Sequence, residues 1–396
     1  MRRIRVAAVY SYLCMGGDES RLLQFLAACD RHAIEPLVIS GMTPTAASEQ
    51  LNGAMLERVR ALDVEVLTLG VPADHDARLR GKVSPAAQGR AFLSMVRRLQ
   101  STLRAREIDV VDGRVNMGTA IGALAGRMAG VRGIVSTNYE LTRFHPPGWN
   151  LLGQSAYSLV DALVCDSQRC LDDMLAWMWR PPRGVCIPNG IRVPEAQRSA
   201  VEMRRELELP DDAVVVGQVA RIQRIKGQDL LLRAMAPLLR ERPKLYVLLC
   251  GYRQQAHQYQ QELDEILASE GIGQRVRMVS YPGPIGDIWG VIDIHAHPTR
   301  QDSSPIAILE GMALGRPAVT TTIGGIPELV SDGETGRVVA PEDVAALGAA
   351  LRGLLDDPRT AAALGQAAKA RYLARHQPAA MARATEALYA SVFEGR

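Results

Sequence analysis

Two cations, Arg221 and Lys226, flank a short loop in this chain. The apolar run Gly217-Gln218-Val219-Ala220 leads into Arg221, residues 222–225 form the loop, and Lys226-Gly227 precedes a helical pattern from Gln228. This places both charges at the carboxyl end of a strand. Two cations there can bind a diphosphate and stabilise it as it leaves. Lys226 is one of four lysines, with Lys82, Lys244 and Lys369, among 46 Lys and Arg. Arginine carries nearly all the other positive charge, so a retained lysine suits a site that needs a compact, hydrated point charge. Arg224, between the two, reads equally well as a surface charge.

A second chemical segment runs from Asp302 to Glu310, reading Asp302-Ser303-Ser304-Pro305-Ile306-Ala307-Ile308-Leu309-Glu310. Ser303 or Ser304 is expected to N-cap a helix whose first position is Pro305. The free amides of that turn, around Ser304, Pro305 and Ile306, form a second anion site. Glu310 falls among Ile306, Ile308, Leu309 and Met312. A carboxylate in such surroundings needs hydrogen-bond partners; ribose hydroxyls would supply them, and so would a nearby Arg. Two further glycine pairs, Gly324-Gly325 and Gly16-Gly17, each follow a strand candidate. At a strand-to-helix turn they let backbone approach a bound group closely, although a tight turn without a ligand uses the same residues. Neither makes the GxGxxG of a dinucleotide-binding turn.

The elements that must position these residues alternate from end to end. Strand candidates in the first half are 4–10, 35–39, 64–69, 109–112, 133–137, 163–165 and 185–187. In the second they are 214–219, 245–250, 276–279, 292–296, 317–320 and 336–339. Helical patterns fill the gaps, including 20–29, 88–106, 119–129, 228–240, 258–268, 305–314, 344–355 and 361–375. A βαβα order predicts an α/β fold of two doubly wound parallel sheets, with ligands at the carboxyl ends of the strands and a cleft between the halves. The polar stretch 192–199, which contains Pro194, is the expected linker. The expected domains are residues 1–192, residues 193–377 with Arg221, Lys226 and the segment from Asp302 to Glu310, and a C-terminal helix at 378–396 that returns to the first.

Composition narrows the partners. The chain has 396 residues, 47% hydrophobic and 22% charged, with a formal net charge of +3. That balance argues against nucleic acid as the partner. The six cysteines make no CxxC pair, so they read as buried thiols in a reducing cytosol. Asp172-Asp173 and Asp356-Asp357 fall in helical patterns, and no metal site is expected. Met1-Arg2-Arg3 runs straight into a strand pattern, and the apolar stretch 120–135 is broken by Arg127 and Arg132. The expected location is therefore cytoplasmic. The basic stretch 88–106 reads as a solvated helix face before it reads as a membrane contact, and Trp177-Met178-Trp179 reads as core packing before it reads as an acceptor pocket.

Taken together, GQVARIQRIKGQ, the run from Asp302 through Glu310-Gly311-Met312-Ala313-Leu314-Gly315-Arg316-Pro317 to Val319, and GGIPELVSDGETG resemble the retaining glycosyltransferases of family 4, which have the GT-B fold. Gly16-Gly17 and Pro188-Asn189-Gly190-Ile191 match the N-terminal glycine loop and the end-of-domain signature of that family, so the resemblance spans nearly the whole chain. It implies a donor diphosphate held by Arg221 and Lys226, and a ribose held by Glu310, the second Glu of an E-x7-E motif. Asp302 stands where the first Glu, associated with the donor sugar, usually stands, and Ser303-Ser304-Pro305 replaces the usual Gly-Phe-Gly. A His that the family often carries near Thr137 is replaced here by Asn138 or Tyr139, with His145 nearby but out of register. Asp112, Arg114 and Asn116 are the remaining acceptor-side candidates.

The implied reaction is front-face transfer with retention, from a nucleotide diphosphate sugar, UDP-linked by expectation, to an acceptor hydroxyl. Arg221, Lys226 and Asp302 are the expected catalytic residues, with no cofactor and no metal. A small natural product such as an aminocyclitol and a cell-envelope glycan or glycolipid are the two acceptor readings. An epimerase or hydrolase of the same fold, and a non-catalytic nucleotide-sugar sensor, are the rival functions.

Overall fold

The computed structural model describes residues 2–13, 16–43, 55–72, 85–139, 147–251 and 257–395. Cys14, Met15, Lys82, Glu140 and His145 lie outside these. The chain divides into two units, Met1–Gly190 with Pro378–Arg396, and Ile191–Gln377.

The first unit holds β1 (Ile4–Tyr10), β2 (Ile34–Thr43), β3 (Glu65–Pro72), β4 (Val110–Arg114), β5 (Gly133–Thr137), β6 (Ala162–Cys165) and β7 (Arg183–Cys186). They form one sheet in the order β3-β2-β1-β4-β5-β6-β7, with every pairing parallel. Side chains alternate across a strand, so a sheet covered on both faces is apolar at successive residues. β1 shows this directly. Val6, Ala8 and Tyr10 enter one core, while Ala7 and Val9 enter the other. The helix Pro378–Glu394 joins the first of these cores through Met381, Leu388, Tyr389 and Val392. The Tyr389 ring meets that of Phe25 edge-on at 5.9 Å.

The second unit holds β8 (Val214–Val219), β9 (Leu245–Cys250), β10 (Val276–Val279), β11 (Ile294–His297), β12 (Ala318–Thr321) and β13 (Arg337–Val339). Their order is β10-β9-β8-β11-β12-β13, again all parallel. On β9, Leu245, Val247 and Leu249 face a core with Leu231, Met235 and Leu239. Leu248 and Cys250 face the opposite core, built around Trp289 and Ile292. Among the described residues no helix is long and apolar enough to cross a membrane.

All thirteen strand candidates correspond to observed strands. The largest difference is β2, which runs on to Thr43 past a register shift between Ser40 and Met42. Periodicity does not announce several of the helices: Pro147–Tyr157, Ala200–Glu206, Ile285–Trp289 and Ile326–Leu329. The helix Ala200–Glu206 starts on a capping box, Ser199 with Glu202, a signal legible as S-x-x-E.

In the second unit the strand order reverses direction between β8 and β11, which are neighbours although β9 and β10 intervene in sequence. Ligands of open α/β sheets bind at such a switch point, outside the carboxyl ends of the strands. The loop leaving β11 is tied down there. Thr299 Oγ1 and Arg300 N–H both donate to the Ile225 carbonyl, at 2.8 and 2.7 Å, and Thr321 Oγ1 donates to the Thr299 carbonyl at 2.8 Å. The Arg300 guanidinium makes two bonds of 2.7 Å to the Asp229 carboxylate.

Two left-handed glycines complete the seat. Gly227 has φ +70°, and a Cβ there would lie 2.0 Å from the Pro298 carbonyl oxygen. Gly324 has φ +53°, and a Cβ there would lie 1.9 Å from the Asp302 carbonyl oxygen. Gly271 also has a left-handed φ, +66°, but open space around it. Gly271→Ala is therefore expected to cost only the backbone term, about 1–2 kcal/mol. Gly227→Ala adds a clash with backbone that cannot move aside and should destabilise the second unit further. Chemical denaturation of the two variants checks the ranking, and equal midpoints would show that the loop is not seated as described.

Candidate functional site

Four of the sequence-predicted residues lie on the segments that follow β8 and β11 in the second unit, and two of them, Lys226 and Asp302, are in contact. Arg221 follows β8, and its side chain is exposed, with no hydrogen bond or ion pair among the described residues. Lys226 ends a short 3-10 turn, Arg224–Lys226, whose last carbonyl accepts from Gln218 Nε2 at 2.6 Å. Its Nζ donates to Asp302 Oδ2 at 2.5 Å. Both side chains of this pair are largely buried, 13% and 16% exposed. Arg224 is turned outward to Glu262, which assigns it to the surface.

Asp302 has a second partner that the sequence reading passed over. His297, the last residue of β11, places Nε2 3.1 Å from the same Oδ2. Burial pushes the Asp302 carboxyl up, but the Lys226 ammonium and the His297 hydrogen bond outweigh it and hold the group at about 2. The carboxylate is therefore ionised across the physiological range.

The segment 303–306 differs from expectation at the cap. The helix spans Ile306–Ala313 and its N-cap is Pro305, with ψ 126° and no side-chain cap bond. Neither serine caps it. The Ser303 carbonyl is instead bonded to the Gly325 N–H at 2.8 Å, and this bond holds the chain against the Gly324-Gly325 turn before the helix begins. Ser303 and Ser304 are both buried. Pro305 has no N–H, so the amides of Ile306 and Ala307 are the ones that open the helix.

Glu310 lies half-buried on that helix, and Trp289 Nε1 donates to its Oε2 at 2.9 Å. Oε1 has no hydrogen bond among the described residues. Trp289 is fully buried on the short helix Ile285–Trp289. Burial pushes the Glu310 carboxyl up to about 7 from its ordinary 4.5, against the smaller, opposite effect of the Trp289 bond. Among the described residues no arginine pairs with it, so the carboxylate is not explained by an ion pair of the fold.

The remaining predicted residues belong to the first unit, where they form a different kind of cluster. Arg114 Nη2 donates to Asp18 at 2.7 Å and Arg114 Nη1 to Asp112 Oδ2 at 2.9 Å, all three side chains being buried. Asp112 also accepts from Thr137 Oγ1 at 2.7 Å and from Tyr389 Oη at 2.8 Å. Asp112 and Arg114, expected on the acceptor side, are thus engaged by the chain's own side chains. They lie on strand β4, and their hydrogen bonds run to Asp18, to Thr137, to each other and to Tyr389 of the C-terminal helix. Asn138 is buried and donates from Nδ2 to Asn116 Oδ1 at 2.5 Å and to Tyr157 Oη. Tyr139 lies half-buried beneath the Arg21 guanidinium, 5.3 Å from ring centroid to Cζ.

Gly16 is the extended N-cap of the helix Gly17–Ala28. A Cβ on Gly16 would lie 2.6 Å from Glu19 Oε2, so the room it leaves is used by the chain's own carboxylate. Around Gly17 the space is open. Trp177 packs edge-on against Tyr157 at 6.0 Å, and Trp179 is exposed.

Among the described residues no group of three or more His, Cys, Asp or Glu side chains is placed to hold a metal ion. The residues missed by sequence reasoning are His297, Trp289 and the Asp229–Arg300 pair. A signal for the first existed. Ile294-His295-Ala296-His297 sets two polar rings on one face of a buried strand, and buried polar groups need partners.

The raised Glu310 carboxyl has a thermodynamic consequence. The folded chain prefers the protonated form, so this group's contribution to stability is fully present below about 4.5 and lost as pH rises through about 7. Glu310→Gln should remove that dependence. Thermal melts of wild type and variant from about pH 5 to about pH 8 are expected to diverge as pH rises, with wild type losing more. Parallel curves would rule out the raised value.

Comparison with known proteins places the chain in a family. Residues 15–193 match the family model for glycosyltransferase family 4, and residues 200–371 match that for glycosyl transferases group 1. The D-inositol 3-phosphate glycosyltransferase of Corynebacterium diphtheriae is 34% identical over 238 residues, 58% of this chain and 56% of that protein. The protein of the same name from Thermobispora bispora is 28% identical over 328 residues, 77% of this chain and 75% of that one. The chain spans about half the length of the corynebacterial relatives it matches.

Among solved structures, Anabaena HepE in complex with UDP-glucose superposes with a TM-score of 0.80 at 20% identity, over 98% of this chain and all of that one. Sucrose-phosphate synthase from Thermosynechococcus elongatus gives 0.80 at 16% identity, over the whole of both chains. These likenesses establish the GT-B fold. With family-model matches across both halves, the chain belongs to family 4 of the glycosyltransferases, the group 1 glycosyltransferases.

Proposed function

We propose that this chain is a retaining, metal-independent glycosyltransferase that moves a hexose or N-acetylhexosamine from a UDP-sugar to an acceptor hydroxyl. The observation that carries the reading is the arrangement at the β8–β11 switch point. Among the described residues the exposed Arg221 guanidinium has no side-chain partner, Lys226 follows five residues on and pairs with Asp302, and Glu310 has one oxygen without a hydrogen bond. Arg221 and Lys226 suit a diphosphate. An ammonium has three donors, and one hydrogen bond to Asp302 leaves two for phosphate oxygens. The first amides of the helix Ile306–Ala313 add donors at its positive end. Glu310 Oε1 suits a ribose hydroxyl, with Oε2 held in place by Trp289.

In the proposed reaction the acceptor oxygen forms a bond to the anomeric carbon on the face from which the diphosphate departs. The bond from that carbon to the phosphate oxygen breaks, and a phosphate oxygen receives the acceptor proton. The charge that develops on the leaving group falls on Arg221 and Lys226, which supply what a divalent cation would otherwise supply. A cyclitol-like small molecule is the favoured acceptor, supported by relatives whose names specify D-inositol 3-phosphate. The proposed setting is the cytoplasm, which suits the free thiols of Cys29, Cys165, Cys170, Cys186 and Cys250.

Incubation with labelled nucleotide sugars, with and without cyclitol acceptors and a chelator, tests the reading. Acceptor-dependent transfer with retained anomeric configuration and no loss on chelation is expected; donor binding without transfer across the panel would favour the sensor. Arg221→Ala should lower kcat/KM roughly 100-fold or more with the fold intact. Lys226→Ala should do the same and in addition leave Asp302 without its cation. Ribose hydroxyls donating to Glu310 favour its ionised form, so UDP binding near neutral pH should release protons. Calorimetry in two buffers of different ionisation heat measures this, and the release should vanish in Glu310→Gln.

A further inference from the structure

His295 and His297 stand two residues apart on β11 and share a face of the strand, yet their surroundings differ. Both are buried. Neither ring nitrogen of His295 has a hydrogen-bond partner among the described residues, and its ring packs edge-on against Trp289 at 5.0 Å. His297 leaves Nδ1 unpartnered among the described residues and directs Nε2 to Asp302. Burial holds the His297 ring below its ordinary value although Asp302 draws it up, so it is neutral at physiological pH. A neutral imidazole beside an ionised carboxylate carries its proton on the nitrogen that faces it, here Nε2.

Asp302 Oδ2 thus receives two hydrogen bonds, from Lys226 and His297, while Oδ1 receives none among the described residues. The two donors are unlike. The Lys226 ammonium ends a flexible four-carbon stem, and phosphate competes for it. The His297 ring has two torsions and is locked by burial at a strand end. A carboxylate held only by Lys226 would follow that ammonium as it engages a ligand.

We propose that His297 is a positioning residue for the donor sugar. It anchors Asp302 Oδ2 against the sheet, so that Oδ1 stays fixed to accept a hydroxyl of the transferred sugar while Lys226 turns to the diphosphate. This rests on the reading above that the second unit takes a nucleotide sugar.

The test compares the affinity of intact donor, UDP-glucose or UDP-N-acetylglucosamine, with that of UDP alone, by calorimetry, in His297→Gln, His297→Asn and His297→Leu. Gln places an N–H where Nε2–H stands, whereas Asn is polar but too short and Leu has no donor. In Gln the ratio of the two affinities should stay close to wild type. In Asn and Leu the donor should weaken roughly 10- to 100-fold against nearly unchanged UDP. If the Leu variant does not fold, the Gln and Asn pair decides alone. Equal ratios in Gln and Asn, or equal losses of UDP and donor, overturn the proposal. Wild-type protein that binds neither UDP nor donor overturns the donor reading itself, which separates the two failures.

Discussion

The ion pair between Lys226 and Asp302 joins the two chain segments that leave β8 and β11. Each segment is short and turns sharply, and neither could hold a charged side chain in place by itself. Together they put a cation and an anion in contact within a partly dry environment. Removing one partner from such a pair leaves an uncompensated charge, at a cost of about 3–5 kcal/mol. The surrounding contacts all limit how far the pair can move. Gly227 and Gly324 admit the loop, Arg300 clamps it to Asp229, and His297 supplies a second donor to the same carboxylate oxygen.

The two units treat buried charge in opposite ways. In the first, Asp18, Arg114, Asp112, Thr137 and Tyr389 satisfy one another, and the C-terminal helix is part of that closed network. In the second, the polar groups at the switch point are anchored at one end and open at the other. Among the described residues Arg221 has no side-chain partner, Asp302 uses only Oδ2, and Glu310 uses only Oε2. A closed network stabilises a fold, because every desolvated group is compensated. Half-engaged groups held in fixed positions have capacity left for a ligand, and fixed position is what makes such groups effective.

Much of this was legible from residue types. The alternation of strand and helix patterns determines a doubly wound sheet because a parallel strand buried on both faces is apolar without interruption. β1 from Val6 to Tyr10 and β9 follow that rule. Arg221, Lys226 and Glu310 could be singled out because a cation at a strand end and a carboxylate in an apolar helix need explanation. The short helices escaped because stretches of 4 to 11 residues carry too little periodicity. The partners of Asp112 and Arg114 were not legible, because nothing near them in sequence announces Asp18 or Tyr389.

Local sequence patterns were enough for the two-sheet architecture and the strand inventory, and they singled out the cations and carboxylates of the candidate site. These depend on local patterns: period-two burial, glycines at turns, and charges placed where a strand must stop. Tertiary structure alone decided the partners. That Lys226 meets Asp302, that His297 shares this carboxylate, that Trp289 orients Glu310 and that Asp112 belongs to the core all depend on contacts between residues distant in the chain or brought together by a turn. Partner choice follows from strand order and burial, which no single segment encodes.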